Sequence, residues 1–485
     1  MLEPALASYL VARGHKVTVL LCDKALPACL TCSIWKSKAS DKEEDTLTES
    51  PADQGLCEAC FPAALRTWET SGAEVLTLSS LLTSSDKAEV RERCGRLVAG
   101  ESVVLDGTDF KEDVVAGCLR YLCKGDEESI STELFRRYAE ASMMIARAYK
   151  NFLSSTEVDC GVWVHGIYVP HGVLNRVFRS RSLPFLNYNT SYRQSRFYFV
   201  ENDTYHHVFP GESADELGLD KVTGEEIGQI EEYLRSRASG SNDWQQFNNE
   251  PLSDTKRGLR ELGFTIDDRP TAVMYTNVVW DARLHFRDSV YDRMEDWIAD
   301  TVEYFRVAPH RKLILRVHPG ELISHSVSRS RVVDHPALQD LPENITVVGA
   351  DSKISSYDLA DIADLILVFA TKMSMELGRY GKPIICCGDA WVRGKGATID
   401  PVTPDEYLEK LGSQNWQYLY DPSMRDRAIA YSHYIFEEKP IAFPIFDVSG
   451  DRKSFTLNPM KLQIEASKTD SSLADFEEAV RKVSV

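Results

Sequence analysis

Thr371, Lys372 and Ser374 follow directly on an apolar run, Leu365–Phe369, and open a helical stretch that reaches to about Arg379. Hydroxyls and a lysine at the start of a helix meet free N–H groups and the positive end of the helix dipole. That combination holds anions, most often phosphate. A second apolar run, Lys312–Val317, ends in His318-Pro319-Gly320-Glu321, with Arg316 two residues ahead of the histidine. Beside a phosphate, such a histidine can donate a charge-stabilised hydrogen bond or act as an acid on the leaving group. The competing reading is an ordinary capped helix and a turn histidine, with no ligand at either.

Both apolar runs read as buried parallel strands. The first continues through Gly381-Lys382-Pro383, which ends the helix, into a further strand at Ile384–Cys387. Ala272–Thr276 is the first strand of this half and ends in Asn277, whose loop would lie against a nucleotide in a Rossmann-like domain. Met294, Trp297, Ile298, Thr301, Val302 and Phe305 share one helix face, and Ile345–Val348 adds a strand. In an open α/β sheet the ligand lies beyond the carboxyl ends of the strands, where Thr371, Lys372, Ser374 and His318 fall.

The N-terminal half alternates in the same way. Strands are expected at Lys16–Cys22, Val75–Leu78, Gly161–Val164 and Leu183–Tyr188. A long helix carries the stripe Leu134, Tyr138, Ala141, Ile145, Tyr149 and Phe152. His165 and His171, each followed by a glycine, come just after the third strand. Either could take a proton from an acceptor hydroxyl, and two turn histidines satisfied by carbonyls are the alternative. Arg193 and Arg196 would meet an anion or pack on Tyr198, and the adjacent His206 and His207 read as sugar contacts or plain structure. The strand that normally precedes the first helix is missing, so either the start is truncated or the fold tolerates the loss. A Ser/Gly/Asn-rich stretch at 236–249 is the expected linker.

Two Cys-x-x-Cys pairs, Cys29/Cys32 and Cys57/Cys60, lie 24 residues apart. This spacing suits a structural four-thiolate zinc site, with an iron–sulfur cluster or incidental thiols as the alternatives and Cys22 as a possible extra ligand. Four thiolates leave no open position, so the role would be structural.

The formal net charge of −19 opposes nucleic-acid binding and unaided association with anionic membranes. No apolar run nears the length of about 20 residues needed to span a bilayer. The chain opens directly in an amphipathic pattern, without a signal peptide, and a cytoplasmic location is expected. At 485 residues, two domains are expected, with hydrophobic content of 43% supplying their cores.

The segments TNVVWDARLH (276–285), LILRVHPGE (313–321), ATKMSMELGRYGKP (370–383) and GDAWVRGKGATID (388–400) together resemble the capsule polysaccharide biosynthesis family, as do HGIYVPHGVLNRVF (165–178) and NDTYHHVF (202–209). These are glycosyltransferases related to bacterial capsule Kdo transferases. The resemblance implies a GT-B fold, two Rossmann-like domains facing a cleft, here with a cysteine-rich insert over 22–60. It implies an acceptor-side domain at 1–250, a nucleotide-sugar domain at 258–424, and C-terminal helices at 425–485 crossing back to the first domain. The implied reaction moves a sugar from a nucleotide-activated donor, CMP-linked by preference, to a glycan or glycolipid acceptor, in peripheral association with a polysaccharide-assembly complex. On this reading His318 and the helix start at Thr371, with Lys372 and Ser374, hold the departing phosphate, Arg316 and Asn277 belong to the donor-binding set, and no catalytic divalent metal is needed. Glu376 takes nucleoside hydroxyls, Glu321 orients its neighbours, and Trp391, Arg393 and Lys395 form a loop closing over the donor. His165 or His171 serves as the acceptor's base. A GT-B-fold nucleotide-sugar epimerase or hydrolase and a non-catalytic partner protein are the alternatives.

Overall fold

The computed structural model describes residues 2–31, 55–240, 242–243, 252–323, 327–449, 455–468 and 472–483. The protein is α/β, with parallel strand pairing in both of its compact units. Unit 1 comprises residues 1–191, 195–205 and 440–485; unit 2 comprises 192–194 and 206–439.

In unit 1, β1 (Thr18–Leu21) pairs in parallel with β2 (Glu74–Thr77), with Thr18 opposite Glu74. A short hairpin follows, β3 (Val104–Leu105) and β4 (Thr108–Asp109). β5 (Gly161–Val164) lies parallel to β6 (Phe185–Thr190), and β7 (Arg196–Glu201) runs antiparallel beside β6. Among the described residues the unit therefore holds separate sheets and not one continuous parallel sheet. Only five residues connect β6 to β7, too few for the crossover that a parallel pair needs. The helix Thr132–Leu153 buries the expected stripe, Leu134, Tyr138, Ala141, Ile145 and Phe152 among it.

Unit 2 carries β8 (Thr271–Tyr275), β9 (Lys312–Arg316), β10 (Ile345–Val348), β11 (Leu365–Val368) and β12 (Ile384–Cys386). All pair in parallel, in the order β10-β9-β8-β11-β12. The apolar runs explain this. Leu313, Ile314, Leu315 and Leu365 through Val368 are fully buried, as strands covered on both faces must be. The helix Met294–Arg306 buries all six residues of its expected face.

Chain order reverses between β8 and β11. From β8 the strands step outward to β9 and β10, and the chain then returns to the other side of β8. Such a reversal opens a crevice at the carboxyl ends of the two strands concerned. Register brings those ends level: Tyr275 stands opposite both Arg316 and Val368. Asn277, His318 and Thr371 accordingly leave the sheet at one edge.

The division of the chain differs from the expected boundary near residue 250. Residues 206–243 belong to unit 2, and the Ser/Gly/Asn-rich stretch begins inside it. The chain returns to unit 1 after Lys439, where β13 (Ile441–Ala442) extends the sheet antiparallel to β7. The helix Pro422–His433 belongs to unit 2.

Candidate functional site

At the reversal, Asn277 ties the two strand ends together. Its side-chain oxygen accepts a hydrogen bond from the Ala370 N–H at 3.2 Å. The Thr276 hydroxyl accepts from the His318 N–H at 3.1 Å. His318 Nδ1 in turn accepts from the Gly320 N–H at 2.9 Å. A ring nitrogen that accepts from a backbone amide carries no proton, so the proton of the neutral ring sits on Nε2. Burial, with the charges of Arg316 and Lys372 adding to it, pushes His318 down to about 4. At neutral pH the free protein therefore holds it as a neutral ring with its proton on Nε2.

The positive charge at this edge belongs to Lys372. Its Nζ lies 4.3 Å from the centre of the Tyr192 ring and 4.6 Å from that of Trp391. Both faces stabilise a cation without neutralising it. Among the described residues no carboxylate lies within ion-pair distance of it. Burial pushes the lysine down to about 8, opposed by the more distant Asp281. An ammonium held this way, beside a histidine N–H donor, suits a phosphate oxygen.

Behind Lys372 stands a buried polar network. Glu376, 1% exposed, pairs through Oε2 with Arg237 Nε at 2.8 Å and accepts from the Tyr357 hydroxyl at 2.5 Å. Arg237 also pairs with Asp243 at 2.9 Å, and its guanidinium lies 4.5 Å from the Tyr192 ring centre. The same ring thus supports both Arg237 and Lys372. Glu376 Oε1 is buried with no hydrogen-bond partner among the described residues. A buried carboxylate oxygen without a donor is costly unless a ligand supplies one.

Other expected site residues are engaged elsewhere. The α-helix covers only Met373–Leu377 before tightening to a 3-10 turn, Gly378–Tyr380, so its dipole is short. The Ser374 hydroxyl donates to the Thr371 carbonyl at 2.6 Å, and the Thr371 hydroxyl accepts from the Met373 N–H at 3.3 Å. Arg316 spends its donors on the carbonyls of Gly349 and Ser352 and on the Ser356 hydroxyl. It braces the loop after β10. Glu321 accepts from the Val332 N–H at 3.1 Å, and burial pushes it up to about 7.

The loop expected to close over a ligand is fixed within unit 2. Arg393 donates to the Cys386 carbonyl at 2.5 Å and to that of Pro401. Lys395, 1% exposed, donates to the Pro210 carbonyl at 2.6 Å. Trp391 packs edge-on against Phe209. Opening the loop would leave those buried carbonyls unpaired.

Gly388 fixes this edge from below. A Cβ there would lie 2.7 Å from the Phe369 carbonyl carbon and 2.9 Å from the Ala370 nitrogen, and backbone cannot yield. Gly388→Ala is expected to cost about 1–3 kcal/mol of stability and to displace Thr371 and Lys372. Thermal unfolding checks the first effect and nucleotide titration the second.

In unit 1, His165 directly follows β5 with φ 69°, next to Gly166 at 71°. Its N–H donates to the Tyr188 carbonyl, and its carbonyl accepts from the Thr204 hydroxyl at 3.0 Å. A Cβ on Gly166 would overlap the Asn187 side-chain oxygen. His171 begins the helix His171–Arg179, and burial pushes it down to about 4, with Glu3 opposing. Gly166→Ala is expected to lose about 1–3 kcal/mol from strain and overlap together, read by chemical denaturation.

Of the expected metal ligands, Cys29, Cys57 and Cys60 are described, while Cys32 lies outside the described residues. Among the described residues no three His, Cys, Asp or Glu side chains stand at metal-coordination spacing, and no helix is long and apolar enough to cross a membrane.

Sequence reasoning missed Arg237, Asp243, Tyr192 and Tyr357. Arg237 and Asp243 sit in the stretch taken for a linker, where composition hides a buried ion pair. The one available signal was the pairing of Arg and Asp with aromatic residues on either side.

No protein-family model matches the chain, and no curated protein matches it. Among solved structures it is similar to the β-Kdo 2,4 transferase KpsC of Thermosulfurimonas dismutans, at 15% identity over 63% of this chain and 86% of that one, with a TM-score of 0.36. The β-Kdo 2,7 transferase KpsC of the same organism gives 13%, 70%, 88% and 0.36. UDP-GlcNAc 2-epimerase from Neisseria meningitidis gives 11%, 62%, 80% and 0.27.

Proposed function

We propose that the chain is a glycosyltransferase of GT-B type that takes its sugar from a nucleotide-activated donor held by unit 2, a CMP-sugar by preference. One observation carries this reading. At the chain reversal of a five-stranded parallel sheet, level strand ends present a carboxylate-free Lys372 ammonium and the His318 N–H donor, with the bare Glu376 oxygen behind.

In glycosyl transfer the bond between the sugar and the phosphate oxygen breaks. Positive charge develops on the sugar and negative charge on the departing phosphate. Groups fixed in advance at that phosphate stabilise the transition state most. Lys372 supplies the charge. His318, neutral before donor binds, supplies a hydrogen bond through Nε2. Glu376 Oε1, acceptor-only when ionised, suits a ribose hydroxyl. Asn277 and Gly388 set the level of the strand ends. The acceptor hydroxyl's proton is assigned to His165 or His171 of unit 1; both donor and glycan acceptor belong to this proposal.

The test is donor turnover. The protein is incubated with CMP-, UDP- and GDP-sugars, with and without glycan acceptors, and nucleotide release is followed. Acceptor-dependent release from a CMP-sugar supports the proposal. Conversion without acceptor points instead to an epimerase or hydrolase. No turnover of any donor, with nucleotide affinity unchanged by His318→Ala, points to a non-catalytic protein.

A further inference from the structure

The stretch between β8 and the helix Met294–Arg306 walls an open cleft at the sheet edge that carries Lys372 and His318. The cleft encloses about 370 Å3, and Asn277, Asp281, Arg283, Asp292, Glu295 and Phe369 line it. Asn277 ties Ala370 to the end of β8, and Phe369 directly follows β11. The cleft therefore opens from the two strand ends at the chain reversal. Asp281 on its wall is also the carboxylate whose charge acts on Lys372 and His318. Three hydrogen bonds brace the wall against the end of β12. The Val290 N–H donates to the Cys387 carbonyl at 2.7 Å and the Arg287 N–H to Asp389 Oδ2 at 3.1 Å, while the Ser289 hydroxyl accepts from the Asp389 N–H at 3.1 Å. A wall held in this way is formed before a ligand arrives, which lowers the ordering cost of binding.

Arg283 carries the sign of a ligand. Its Nη1 is buried and makes no hydrogen bond among the described residues. Glu295 Oε1 stands 4.0 Å away, beyond hydrogen-bond range, and already pairs with Arg293 Nη2 at 3.3 Å. A buried guanidinium N–H without an acceptor is costly unless a ligand supplies one. The lining also selects the class of ligand. Three carboxylates, Asp281, Asp292 and Glu295, outnumber the two arginines and disfavour a further phosphate here. Carboxylates accept hydrogen bonds from hydroxyls, the guanidinium donates to oxygen, and Phe369 offers apolar surface to the C–H groups of a ring. A ring bearing several hydroxyls satisfies all of these at once. We propose, resting on the donor reading of unit 2, that this cleft holds the transferred sugar of the nucleotide-activated donor, a hydroxyl-rich ring, and that Arg283 is a specificity-determining residue for it. Arg283 donates through Nη1 to a sugar oxygen, and Asp292 on the same wall accepts from sugar hydroxyls. The phosphate lies beside the cleft on Lys372 and His318.

The experiment is calorimetric titration of the full chain with free CMP, UDP and GDP beside the CMP-, UDP- and GDP-sugars used for turnover. In wild type the best-bound sugar conjugate should exceed its own free nucleotide in affinity by about tenfold. Arg283→Met keeps the apolar stem and removes the donors. It should abolish most of that margin and leave the affinity of the free nucleotide unchanged. Arg283→Lys keeps the charge without the planar fork and should restore only part of the margin. If Arg283→Met fails to fold, Asp292→Asn, which keeps the side chain's shape, should narrow the same margin. A margin left intact by Arg283→Met and Asp292→Asn would overturn the proposal, as would equal losses for the free nucleotide and its conjugate. So would a wild type that binds free nucleotide and every conjugate alike. In that case a nucleotide affinity still lost in His318→Ala leaves the donor site standing without this sugar cleft. Absence of any nucleotide binding overturns both.

Discussion

Lys372→Met should weaken binding of the donor nucleotide about 10- to 100-fold while leaving the fold intact. The range follows from the loss of one charge-assisted contact to phosphate, about 1.5–3 kcal/mol. Methionine keeps the unbranched apolar stem between Tyr192 and Trp391, so the packing survives and the charge alone is removed. Isothermal titration of wild type and variant reads the difference directly. The pH dependence has a definite sign. Lys372 is pushed down to about 8, so its ammonium is present below that pH and is lost as pH rises through it. Affinity in the free protein's range should therefore fall above about pH 8, and bound phosphate should move the fall upward. The methionine variant should show no such fall. Stability changes the other way. Between about pH 8 and the ordinary lysine value the unfolded chain binds the proton more tightly, so this group's contribution to stability rises with pH there. An affinity that stays flat through pH 9 in wild type would remove Lys372 from the phosphate site.

Arg237→Ala should produce the largest loss of stability in unit 2. The side chain, 9% exposed, is ion-paired to Asp243 and Glu376, whose side chains are 4% and 2% exposed. Removing the guanidinium strands two buried carboxylates at once. Breaking a buried pair in this way costs about 3–5 kcal/mol, or a fall in Tm of about 10 °C for a unit of this size. Arg237→Lys should rescue little, because one ammonium cannot serve two carboxylates in the planar fork geometry. Arg237→Met combined with Glu376→Gln should recover part of the loss, since one stranded charge is then neutral. The same pair should also lose nucleotide affinity, because Tyr192 would lose one of the two cations that position it. Scanning calorimetry of the three variants checks the order. A single-alanine variant melting within 2 °C of wild type would show the network to be incidental, since that shift is about 1 kcal/mol or less.

Much of unit 2 was legible in the sequence because parallel strands buried on both faces must be continuous apolar runs. β9, β11 and β12 are such runs, so His318 and Thr371, which follow β9 and β11, are legible as strand-end residues. The helix Met294–Arg306 was legible for the same reason. The direction in which a polar side chain points is less legible. Arg393 and Lys395 in a glycine-rich loop look identical whether they reach for a ligand or for the carbonyls of Cys386 and Pro210. Arg316 at a strand end looks like a phosphate ligand until the carbonyls of Gly349 and Ser352 and the Ser356 hydroxyl are seen to accept from it. The helix after Lys372, expected to reach about Arg379, is shorter because the backbone tightens to 3-10 over Gly378–Tyr380. Arg237 was hidden by composition, since a Ser/Gly/Asn-rich stretch reads as a linker even where one arginine in it is the most constrained charge nearby. In unit 1 the helix stripe was legible, whereas the antiparallel turn from β6 to β7 depended on a connection length that apolar patterning does not encode.

The most direct measurement is a calorimetric titration of CMP, UDP and GDP into wild type, His318→Ala and Lys372→Met at pH 7. CMP is expected to bind wild type and to lose about tenfold or more of its affinity in each variant, one charge-assisted or donor contact being removed in each. Nucleotide binding unchanged in both variants, or no binding of any of the three nucleotides to wild type, would contradict it.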